Sequence, residues 1–106
     1  MPRPPSLLLF LALALPAAEA SARCLSLERH RTGGTGNWIN GCGHGVTVRW
    51  TTETGRAGIR WVQAHEVIWA RLGPPGERVS WRECRSDTPY ARRPVERNGR
   101  WDCRSR

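Results

Sequence analysis

Past residue 20 the chain offers only twelve Val, Ile and Leu residues among 86 positions. That share, about 14%, lies under the ~20% mark below which highly charged chains tend not to fold. An aliphatic core of ordinary size is excluded, and with 106 residues so is a multidomain enzyme. Six Trp and four Cys remain to hold a fold. A buried Trp removes ~150–250 Å² from water, so a few of them offset the missing Leu and Phe.

The first twenty residues have a different composition and a different use. Arg3 supplies a positive start, Leu7 to Leu15 form a nine-residue apolar run, and Pro16 breaks it. Ala18-Glu19-Ala20 then has the small-x-small form that signal peptidase cleaves. The run is far short of the ~20 residues that cross a bilayer. Residues 1–20 therefore read as a cleaved signal peptide, and residues 21–106 as a single small domain, secreted or periplasmic, with no transmembrane span.

Export makes disulfides the default for Cys24, Cys42, Cys84 and Cys103. The nearly equal separations, 18 between the first two and 19 between the last two, favour Cys24–Cys42 and Cys84–Cys103, each closing a local hairpin. Loops of that length contribute about 3 kcal/mol each in the chain-entropy model. No Cys-x-x-Cys or His-x3–5-His spacing occurs, so neither a metal site nor a cofactor is expected.

The periodicity is that of strands. Val46, Val48 and Trp50 alternate with Thr47, Arg49 and Thr51, and Leu25 and Leu27 alternate with Ser26 and Glu28. Glycine-rich turns fall at 33–36, 41–45, 54–58 and 73–76. Asn98-Gly99 between strand-like runs is the strongest short hairpin signal of all. Residues 63–72 also fit a helical stripe through Ala64, Val67, Ile68 and Leu72, but their β-branched and aromatic content favours strand. The expected fold is all-β: a small disulfide-stapled antiparallel sandwich or barrel of about six short strands.

Trp50, Trp61, Trp81 and Trp101 occupy strand positions and are assigned to the core; Trp38 and Trp69 are the candidates for an exposed stacking surface. The basic residues are 17 Arg with no Lys, giving a net charge of +8. Residues 84–106 carry +4 in 23 positions, nearly three times the density of residues 21–83. Arg85, Arg92, Arg93, Arg97, Arg100, Arg104 and Arg106 are thus the candidate anion-binding patch. Its partner would be an envelope polysaccharide, a lipid head group or nucleic acid.

Two other classes compete. His44, His65 and Glu53, with Glu66, are groups a small secreted ribonuclease would use for acid–base work, although no catalytic motif frames them. A disulfide-stapled β domain would also suit an inhibitor of a protein partner, and the charge of +8 restricts that partner to an acidic one.

Asn40-Gly41-Cys42, Val46-Thr47-Val48-Arg49-Trp50, Leu72-Gly73-Pro74-Pro75-Gly76-Glu77, Trp81-x-x-Cys84 and Gly99-Arg100-Trp101-Asp102-Cys103 together make a pattern over most of residues 21–106. It resembles short exported bacterial disulfide-containing β domains of unknown function. The resemblance implies a fold and a compartment, and carries no activity.

Overall fold

The computed structural model describes residues 23–105; residues 1–22, with the segment 1–20 read from the sequence as a signal peptide, and Arg106 lie outside them. Eight strands follow in order: β1 (Leu25–Arg29), β2 (Thr35–Asn40), β3 (Val46–Thr52), β4 (Ala57–Val62), β5 (Val67–Arg71), β6 (Val79–Arg85), β7 (Arg92–Arg97) and β8 (Arg100–Ser105). The described residues contain no helix. The class is the all-β one expected, with eight strands instead of about six. β5 is a strand of its own and β7–β8 forms a separate two-stranded ribbon.

All pairings are antiparallel: β1-β2-β5 in one sheet, β4-β3-β6 in a second, and β7-β8 in the two-stranded ribbon. The two larger sheets trap the core between them. Leu25, Trp38, Ala70 and Leu72 come from the first sheet and its flank, Val46, Val48, Trp50 and Val62 from the second. Trp38 sits at the centre, fully buried, tilted against Trp50 at 5.4 Å and edge-on to Trp81 at 5.0 Å between ring centroids. Such aromatic pairs contribute ~0.5–1.5 kcal/mol each beyond the area they bury. Indole area has replaced aliphatic volume.

Charged side chains on the inner face of the second sheet close its edges onto the first. Glu83 on β6 accepts the backbone N–H of Cys24 at 2.6 Å and of Leu25 at 3.1 Å, satisfying the start of β1. At the other edge Arg60 on β4 donates to the Trp69 carbonyl of β5 at 3.4 Å. These two seams bring the sandwich close to a barrel, and they cover edges that would otherwise invite further pairing.

The turns are held by few side chains. Asn40 is buried; its Nδ2 donates to the carbonyls of His44, Val62 and Gln63, and its Oδ1 accepts the N–H of Cys42. One amide thereby fixes both the 41–45 and the 63–66 loops. Glu77 is buried at the opposite end and accepts the N–H of Thr54, while Arg29 donates to the Glu77 and Pro74 carbonyls. The disulfides are Cys24–Cys42 and Cys84–Cys103, the pairing that the spacing favoured. The first ties β1 to the loop after β2; the second ties the ribbon to β6.

Candidate functional site

The β7–β8 ribbon owes its geometry to its turn. Asn98 (φ 53°) and Gly99 (φ 79°) both take left-handed conformations, the two-residue geometry that matches the twist of the flanking strands. That turn sets the register Arg97↔Arg100, Val95↔Asp102 and Arg93↔Arg104. Opposed residues in an antiparallel pair share a face. Pro94 is buried and Cys103 is bonded to β6, so their face is the inner one. The outer face therefore carries Arg93, Arg97, Arg100 and Arg104 with a single carboxylate, Asp102. The two arginine rungs lie four residues apart, ~13 Å along the strands. Like charges directly opposite one another on a sheet are unfavourable unless a counter-charge arrives.

Beneath the inner face lies a second group of cations. Arg49 on β3 and Arg82 on β6 are directly opposed in register, on the face of the second sheet that the ribbon overlies. Arg49 is held by a hydrogen bond of 3.1 Å from its Nη1 to the Pro94 carbonyl. The guanidinium of Arg82 lies 5.8 Å from the centre of the Trp101 ring, in cation–π range. Together with Arg23, Thr51 and Ser80 these residues line a cleft of about 300 Å³. The one ion pair among the described residues, Arg85–Asp87 at 3.1 Å, is elsewhere and exposed.

The seven-arginine patch is thus divided. Four of its members share the outer face of the ribbon. Arg92 falls on the inner-face side of the alternation, opposite Ser105. Arg85 is on β6 and paired with Asp87, and Arg106 lies outside the described residues. Trp38 is corrected outright: it is fully buried at the core centre and cannot stack on a ligand. Trp69 is 53% exposed on β5 with the Arg71 guanidinium 5.8 Å from its ring. Trp101, assigned to the core from its strand position, is 37% exposed, because it lines the open cleft between the ribbon and the second sheet. Trp61 is half-buried and donates from its Nε1 to the Ser86 carbonyl, while Trp50 and Trp81 pack in or against the core as expected.

The acid–base group does not assemble. His44 precedes β3 and Glu53 follows it, so the seven residues of β3 hold them ~20 Å or more apart. Glu53 accepts the N–H of Arg78. His65 does share an end of the molecule with His44: its N–H bonds the Cys42 carbonyl, in a turn where it adopts φ 58°. The His44 Nε2 lies 3.6 Å from the Cys24 sulfur. The trio Cys24, Cys42 and His44 has both sulfurs bound to each other, so it offers no thiolate to a metal ion.

Arg49 and Arg82 escaped the sequence reading. Alternation alone places Arg49 on the polar face of its strand, but nothing local reveals that Arg82, 33 residues away, stands opposite. Among the described residues no helix is long and apolar enough to cross a membrane. Comparison with known proteins finds no family model, no curated protein and no solved structure that matches this chain.

Proposed function

We propose that this is an exported binding protein that engages an anionic partner through the β7–β8 ribbon. One observation carries the reading: four arginines stand in two opposed rungs on one exposed face, with Val95 and a single carboxylate, Asp102, between them. Both disulfides suit an oxidising compartment, and so does the signal-peptide form of residues 1–20. A long polyanion such as an envelope polysaccharide can bridge the two rungs at once, and guanidinium groups bind carboxylate, sulfate or phosphate in a planar, two-bonded fashion. The separation of Glu53 from His44 weakens the hydrolase alternative.

The test is retention on immobilised heparin at several salt concentrations. Contacts of this kind release ~0.7–0.9 counterions each, so replacing the four outer-face arginines with Gln should flatten the salt dependence by about three units of log–log slope. Retention that ignores salt, or a four-Gln variant that elutes with the wild type, would overturn the reading.

A further inference from the structure

We infer that the cleft between the ribbon and the second sheet seats one acidic sugar residue, its acid group on Arg49 and Arg82 and its ring against Trp101. This rests on the reading that the protein engages anions, and it narrows the partner to an acidic polysaccharide. The two guanidinium groups come from directly opposed positions, and no carboxylate lines the cleft. An incoming anion relieves the repulsion between them. Both are positioned before any ligand arrives, Arg49 by the Pro94 carbonyl and Arg82 by the Trp101 ring, so little side-chain freedom is lost on binding.

The rest of the cleft suits a ring bearing hydroxyls. Thr51 and Ser80 are also opposed, on the same face, two residues along from the arginine pair. That is a displacement of ~7 Å, enough for one ring with an acid group at one end and hydroxyls at the other. A cleft of about 300 Å³ is at the small end for ligand sites and takes one or two such rings. One face of the Trp101 indole is occupied by Arg82, so the exposed remainder offers a wall to sugar C–H groups. It does not offer the open platform on which successive bases stack.

The experiment is calorimetric titration of the full chain with a disaccharide containing glucuronic acid. The same disaccharide methyl-esterified at its carboxyl, and a short single-stranded oligoribonucleotide, are the controls. The free acid should bind at least tenfold more tightly than the ester, a comparison that needs no variant. Arg82→Gln should weaken the free acid at least tenfold with the melting temperature nearly unchanged. Equal binding of acid and ester, no binding of either, an unaffected Arg82→Gln variant, or tighter binding of the oligoribonucleotide would each overturn the assignment. Heparin retention that persists without disaccharide binding refutes the cleft alone; disaccharide binding without retention supports the cleft and refutes only the ribbon reading.

Discussion

Gly58 lies directly opposite Trp50 in the β3–β4 pairing, and the indole rests on it. A Cβ added at Gly58 would stand 2.2 Å from Trp50 Cζ2 and 2.6 Å from both Cε2 and Cη2. Ordinary carbon contacts are ~3.5–4.0 Å, so in Gly58→Ala the ring must retreat by more than about 1 Å. It has nowhere to go, since Trp50 is 5% exposed and its other side meets Trp38. Overpacking of this kind costs ~1–3 kcal/mol, and a ring blocked on both sides belongs at the top of that range. The smaller conformational entropy of unfolded Ala returns ~0.4–1 kcal/mol, leaving a loss of about 2–3 kcal/mol. For a domain of this size each kcal/mol is worth ~4–8 °C, so the melting temperature should fall by about 10–20 °C. The assay is thermal unfolding followed by circular dichroism with both disulfides intact. A double-mutant cycle with Trp50→Phe isolates the contact, because the shorter ring leaves room for the methyl. The coupling should be at least ~1 kcal/mol. A Gly58→Ala variant within ~0.5 kcal/mol of wild type, or one equally damaged in the Trp50→Phe background, would refute the reasoning.

Three further outcomes are expected. Asn40→Ala strips one donor group from the His44, Val62 and Gln63 carbonyls and one acceptor from the Cys42 N–H, and should cost about 3–5 kcal/mol in a denaturant titration, as unsatisfied buried groups cost ~1–3 kcal/mol each. Glu83→Ala removes the acceptor from two N–H groups at the start of β1 and should destabilise by about 2–4 kcal/mol, with Glu83→Gln recovering part of the loss because one acceptor oxygen remains; a Gln variant no better than Ala would argue against the seam. The Thr54 side chain holds the Glu77 carboxyl below the ordinary carboxylate range, aided by the Thr54 N–H, the Thr52 hydroxyl and Arg29 and opposed by burial. A lowered folded-state value means that this stabilisation is complete above the ordinary carboxylate pKa and is lost as pH falls through the folded value. Melting curves of wild type and Glu77→Gln should therefore converge in acid, and parallel curves at every pH would count against it.

Much of the fold was legible because its signals are local. The Val46–Thr51 alternation became β3, Asn98-Gly99 became the ribbon turn, and near-equal cysteine spacing marked the two closed loops. Residues 63–72 were ambiguous because their apolar positions satisfy two periods, and packing decides between them. Ala70 and Ile68 turn inward beside Trp38 while Val67 and Trp69 remain outside. The turn before β5 gave no glycine to mark it, since His65 itself takes the left-handed conformation. The site was only half legible. A count of arginines finds the ribbon, whereas the Arg49–Arg82 pairing and the depth of Trp38 depend on how strands distant in sequence align.

The disulfide connectivity has a consequence for biosynthesis. Each cysteine is joined to its nearest neighbour in sequence, first with second and third with fourth. In a chain delivered N-terminus first, Cys24 meets Cys42 before Cys84 has appeared, and short loops close at small entropic cost. The order of appearance is then the order of bonding. Under the export proposed above, oxidation can proceed vectorially to the native pairing.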